Sequence, residues 1–185
     1  MRRFLAFTVL AAGLGLTAAT PASAEERTCR GSIGAITVDN LRVPQGATCT
    51  LNGTRVQGTI TVQQGATLTA NTVRVVGNVQ GENAANVRVL SGSTVGGSVQ
   101  VVQGQAARVA NSTVNGDILF DENTRALSAV GNRVGGNIQA FKNTGGVTIS
   151  NNRVDGNLQC KENRPTPTGT ANIVQGNKED QCARL

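Results

Sequence analysis

The chain has 185 residues, 17 Lys and Arg against 11 Asp and Glu, and a net charge of +6. Phe4, Phe7, Phe120 and Phe141 are its only aromatic residues, and it contains no His, Trp or Tyr. This excludes imidazole-based catalysis or metal binding and a core built on large aromatic side chains. The charge excess falls short of a nucleic-acid-binding footprint.

Residues 1–24 read as an export signal. Arg2 and Arg3 give a positive start, Phe4 to Ala19 form an uncharged apolar run, and Ala22-Ser23-Ala24 is a small-x-small cleavage site. The predicted mature chain begins at Glu25, carries +4 and is secreted to the extracellular side. The apolar run is too short to span a bilayer comfortably. No cysteine stands at the cleavage site, which argues against a lipoprotein, and no later stretch is apolar enough for a transmembrane segment.

Residues 25–185 read as one domain. Residues 25–57 are expected to form an irregular N-terminal cap, 58–175 regular coils, and 176–185 a C-terminal cap. The regular part repeats Val-x-Gly-x-(Val/Ile/Leu). The glycines are Gly58, Gly77, Gly97, Gly116, Gly136, Gly156 and Gly176, spaced by 19 or 20 residues. Two positions before them stand Val56, Val75, Val95, Val114, Val134, Val154 and Val174, without exception. Two positions after stand Ile60, Val79, Val99, Ile118, Ile138 and Leu158, and then Lys178.

Apolar and polar residues alternating around each glycine give the period of a half-buried strand. A second alternation, Leu127/Ala129 and Val147/Ile149 with Val89 and Val109 in earlier units, predicts another strand in each repeat. One such unit cannot bury its apolar face alone, but stacked units can, at about 4.8 Å per layer. The expected fold is therefore all-β: a single-stranded parallel β-helix, or solenoid, of about seven coils of roughly 20 residues. That coil length favours a right-handed winding. Asn123, Asn143 and Asn163, with Gly65 and Gly104, occupy one slot that suits a turn with positive φ. Asn132, Asn152 and Asn172 form a second polar column that can hydrogen-bond along the axis.

Four cysteines in an exported chain imply disulfides, with three pairings possible. Cys29 and Cys49 are 20 residues apart, and Cys160 and Cys182 are 22 apart, each about one coil. This spacing favours Cys29–Cys49 and Cys160–Cys182, one staple at each end. Lys178, Glu179 and Asp180 break the apolar columns as a terminal layer should. The Pro-rich stretch from Arg164 to Thr170 replaces a strand.

Arg55, Arg74, Arg133 and Arg153 lie three residues before their repeat glycines, alternate with the inward valines and should point outward on one face. Thr94 and Thr113 hold the slot in the middle layers. These four arginines are the candidate binding residues, for an anionic cell-wall polymer. A solubilising face is the plainer reading. No catalytic set or metal site is expected, and no cofactor. Asp117, Asp121, Glu122 and Asp155 would need to converge to serve a polysaccharide lyase or hydrolase. The Thr-x-Thr pairs Thr48/Thr50, Thr59/Thr61 and Thr67/Thr69 stop too early for an extended ice-binding array.

The motif Val-x-Gly-Asn-(Val/Ile/Leu)-Gln stands at Val75–Gln80, Val134–Gln139 and Val154–Gln159. With Asp155–Asn163 and Gly176–Cys182 it resembles a group of uncharacterised secreted proteins of actinobacteria, over most of the mature chain. The repeat alone resembles bactofilins, polymer-forming β-helical proteins of the cytosol that lack disulfides. The first resemblance implies a secreted protein and carries over no function; the second implies self-assembly. The expectation is a monomeric, secreted, non-catalytic β-solenoid acting as a structural or surface-binding module. The alternatives are a polysaccharide-active enzyme and a self-assembling polymer.

Overall fold

A computed structural model describes residues 25–185, and the export signal 1–24 lies outside the described residues. Among the described residues the chain forms 24 short strands and no helix. They assemble into three all-parallel sheets. Sheet A has nine strands, sheet B seven and sheet C eight. Each complete turn lays one strand on A, one on B and one on C, and the next turn stacks beside it; the turn after Leu158–Lys161 has no strand on B.

Sheet C counts the layers. Its strands, in order, are Thr37–Val38, Arg55–Val56, Arg74–Val75, Thr94–Val95, Thr113–Val114, Arg133–Val134, Arg153–Val154 and Ile173–Val174, numbered here as layers 1 to 8. The predicted valine column is one in-register file, with Val56↔Val75, Val75↔Val95, Val95↔Val114 and onward to Val154↔Val174. Val56 to Val154 are buried.

The layer count is eight, not seven. Residues 25–57, expected as an irregular cap, carry strands Glu26–Thr28, Gly31–Ile33, Thr37–Val38, Asn40–Val43, Thr48–Asn52 and Arg55–Val56. Val38 heads the valine file, paired with Val56. Its repeat is hidden because a single residue, Asp39, links Val38 to the next strand at Asn40, where Gln57, Gly58 and Thr59 link Val56 to Ile60. The corner is tighter, so the spacing and the glycine signal are both lost.

The interior is filled by files of modest side chains. Leu41, Ile60, Val79, Val99, Ile118, Ile138 and Leu158 form one inward file of sheet A, all buried. The adjacent file contains Val101, Phe120 and Ala140, so the one fully buried aromatic ring has a small side chain beneath it. Sheet B adds files through Cys49, Leu68, Val87 and Ala107 and through Leu51, Ala70, Val89 and Val109. Each fully buried Val, Leu or Ile contributes about 1.5–3 kcal/mol, and β-branched residues suit pleated strands. Both ends of the Leu41–Leu158 file are charged: Arg27 pairs with Leu41, and Lys178 with Leu158.

The corners are held by polar ladders. At the corner between B and C, Asn132 Nδ2 donates to Asn152 Oδ1 at 3.1 Å, and Asn152 Nδ2 to Asn172 Oδ1 at 2.9 Å. At the corner between A and B, Asn123, Asn143 and Asn163 are linked in the same way, and Gln181 closes the series. These three asparagines are buried and do not adopt positive φ. The left-handed residues are their predecessors, Glu122, Lys142 and Glu162, at φ 55°, 51° and 58°. The predecessor turns the chain outward so that the asparagine amide can point in and satisfy backbone carbonyls of Val101, Phe120 and Ala140. A third ladder follows the repeat glycine, where the backbone N–H of Asn157 donates to Asn137 Oδ1, and that of Asn177 to Asn157 Oδ1.

The repeat glycines are required by space, not by φ. A Cβ on Gly156 would lie 2.5 Å from Asn137 Oδ1 and 2.7 Å from the carbonyl oxygen of Gly136. A Cβ on Gly77 would lie 2.7 Å from the Gly58 carbonyl oxygen. The layers approach so closely at this corner that only hydrogen fits.

Both expected disulfides are present, with Cα separations of 5.6 Å for Cys29–Cys49 and 5.2 Å for Cys160–Cys182. Each joins adjacent layers, but neither pair shares a file. Cys49 is in register with Gly31 in sheet B, and Cys160 with Asp180 in sheet A. The bonds therefore run diagonally across the ends of the interior. The Pro-rich stretch 164–170 yields no strand. Sheet B ends at Val147–Ser150, beside which only Thr168 makes an isolated bridge, to Thr148.

Candidate anion-binding surface

A sheet C strand has two residues, one inward and one outward. With valine inward, the outward slot runs Thr37, Arg55, Arg74, Thr94, Thr113, Arg133, Arg153, Ile173. The four candidate arginines thus share one file on one face, and all four are exposed. They form two lateral pairs, Arg55↔Arg74 and Arg133↔Arg153, separated by half-buried Thr94 and Thr113. Only Arg133 has a nearby carboxylate, with Nη2 4.0 Å from Asp155 Oδ2.

Two further arginines stand on sheet B, out of phase with the repeat glycine and therefore not marked by it. Arg88 and Arg108 are in register and exposed. Their signal was the alternation Val87-Arg88-Val89 and Ala107-Arg108-Val109. In the same outward file, Ser32, Thr50, Thr69, Ser128 and Thr148 occupy the other strands of the sheet. A shallow hollow of about 360 Å³ adjoins this pair, its lining including Ala106, Ala126, Ser128 and Thr148. The small outward alanines create it.

Charge is segregated around the rod. The strands of sheets B and C carry six arginines and no Lys, Asp or Glu. Among the described residues every Asp, Glu and Lys lies on sheet A or in the segments flanking it, with Asp39, Asp117 and Asp155 in the turns between C and A. Like charges directly opposite each other destabilise a sheet, on the order of several tenths of a kcal/mol per pair. Three such pairs on B and C are a cost that folding does not require.

The carboxylates do not converge. Asp117 belongs to the third ladder, where the Asn137 N–H donates to its Oδ1 at 2.6 Å. Asp155 follows sheet C. Asp121 and Glu122 sit at the opposite corner with Lys142, whose Nζ is 3.3 Å from Glu122 Oε1. Burial, reinforced by the Glu122 charge, raises the Asp121 pKa. A hydrogen bond from Gln103 and the Lys142 ammonium lower that of Glu122. The Glu122 carboxylate in turn raises that of Lys142. A hollow of about 250 Å³ there is lined by Asp121, Phe141, Lys142, Lys161 and Glu162. Among the described residues no group of three or more His, Cys, Asp or Glu could hold a metal ion. The threonine pairs divide between two faces: Thr48/Thr50 lie beside Thr67/Thr69 on sheet B, and Thr61 is on sheet A. Among the described residues no helix is long and apolar enough to cross a membrane.

No family model, curated protein or solved structure matches the chain.

Proposed function

We propose that the protein is an exported, non-catalytic rod that binds anionic polymers of the cell envelope through the arginines of sheet C. The supporting observation is the in-register file of Arg55, Arg74, Arg133 and Arg153, exposed and faced by one carboxylate among them. Guanidinium groups present a planar fork that matches phosphate and carboxylate oxygens. A stacked sheet holds the backbone positions that carry those forks at fixed axial spacing, so no backbone ordering is needed on binding. Two disulfides fit an oxidising destination outside the cytoplasm.

The test is co-sedimentation of the mature protein with purified cell walls. The variant R55Q/R74Q/R133Q/R153Q is expected to lose at least about tenfold in affinity, the equivalent of one charge-assisted hydrogen bond. Retention of wild-type affinity would remove the file as the binding element.

A further inference from the structure

The outward arginines of sheets B and C obey a joint rule that neither sheet shows alone. From layer 2 to layer 7, each layer carries one arginine and one hydroxyl in these two files. The combinations are Thr50 with Arg55, Thr69 with Arg74, Arg88 with Thr94, Arg108 with Thr113, Ser128 with Arg133, and Thr148 with Arg153. The arginines come in doublets of adjacent layers: layers 2–3 on C, 4–5 on B and 6–7 on C. No layer has two and none of the six lacks one.

We propose that each doublet is one oxyanion subsite, and that Arg88 and Arg108 supply the middle of three subsites for a single linear polyanion lying along the rod. This rests on the reading of sheet C given under Proposed function and extends it to sheet B. Two guanidinium groups one layer apart can each donate to one oxygen of the same phosphate or carboxylate, which turns a repulsive pair into a clamp. Successive clamps are two layers apart along the axis, about 10 Å at the spacing of stacked strands. The clamps also alternate between two sheets, so the ligand class is a linear polyanion that can place anionic groups at intervals of at least roughly 10 Å along its chain. The chain must be flexible enough to step from C to B and back. The hollow floored by Ala106 and Ala126 gives it room beside the middle clamp, and Ser128 and Thr148 line that hollow with hydroxyls.

Two polymers of matched length serve as probes, a poly(glycerol phosphate) and a polyuronate, each also as a series of fragments of increasing length, from a single anionic group to chains longer than the three clamps. Binding is read by calorimetry on the mature protein at low and moderate salt. For the polymer that the wild-type rod prefers, affinity should rise with fragment length until all three clamps are spanned. R88Q/R108Q should lose about tenfold and end that rise early, with a shallower salt dependence, since fewer charges are neutralised. Its melting temperature should equal or exceed that of the wild type, because a like-charge pair is gone. If R88Q/R108Q binds within twofold of the wild type while the sheet C variant loses affinity, the three-clamp arrangement is wrong and the sheet C reading survives. If neither variant weakens binding to either polymer, both fall. Equal affinity for fragments of every length would also overturn the clamps.

Discussion

At the scale of the residue, the repeat is a set of steric and hydrogen-bonding obligations. Gly156 admits nothing larger than hydrogen, so Gly156→Ala must push the Gly136 layer away or displace the Asn137 amide. Overpacking of this kind costs about 1–3 kcal/mol, and chemical denaturation should register a loss in that range. Asn143 has a different obligation. Its Nδ2 donates to the Phe120 carbonyl and to Asn163 Oδ1, both at 2.9 Å, while its Oδ1 accepts from the N–H and Nδ2 of Asn123. Asn143→Ala leaves several buried groups unpaired and should cost about 3–5 kcal/mol by the same measurement. The Glu122 corner allows a charge test. Lys142→Met should move the Glu122 pKa up towards the ordinary glutamate range and raise that of Asp121 further, as followed by carboxyl NMR titration. The sign is fixed: the lowering at Glu122 favours the folded state above the ordinary glutamate pKa, and that stabilisation is lost as pH falls through the lowered, folded-state value. The raised Asp121 value acts oppositely, favouring the fold at low pH and fading as pH rises through it.

At the scale of the element, the strands of sheet C were legible because two-residue strands leave no ambiguity. Val56 to Val174 recur with a marker glycine, and alternation fixes which neighbour faces out. The first layer was not legible, because the shortened corner at Asp39 removes that glycine and shifts the spacing. The polar slot at Asn123, Asn143 and Asn163 was legible as a column, but its role was misplaced by one residue. Composition marks asparagine as tolerant of positive φ, whereas the structure gives that conformation to Glu122, Lys142 and Glu162 and keeps the amide for the ladder. The cysteine pairing was recoverable from coil length even though the partners occupy different files. Closing a loop of this size stabilises by about 3 kcal/mol in the chain-entropy treatment. Because each layer is bonded to its neighbours alone, Cys160→Ser/Cys182→Ser should lose that stability locally. Hydrogen exchange should show lost protection in Leu158–Lys161 and Lys178–Asp180, with layers 3 to 6 unchanged.

At the scale of the whole molecule, three narrow sheets wrap a core of Val, Ile, Leu and Ala, and the outer faces are free to differ. Sheet A mixes acids with Arg27, Arg42, Lys161 and Lys178, while sheets B and C bear arginine without a strand carboxylate. The half of the candidate surface on sheet C was visible in the sequence because it shares the phase of the glycine. The half on sheet B has the same 20-residue recurrence in a different phase, between core residues of another file.

The close stacking of the layers also governs how such a surface can change. Side chains on a loop drift continuously as the loop is remodelled, but here a charge can relocate along the axis only by whole coils. The smallest step is about 4.8 Å. The protein is thus a ruler with fixed graduations. Adding or removing a complete coil would lengthen or shorten it by one mark, and substitutions alone can decide which marks carry a charge.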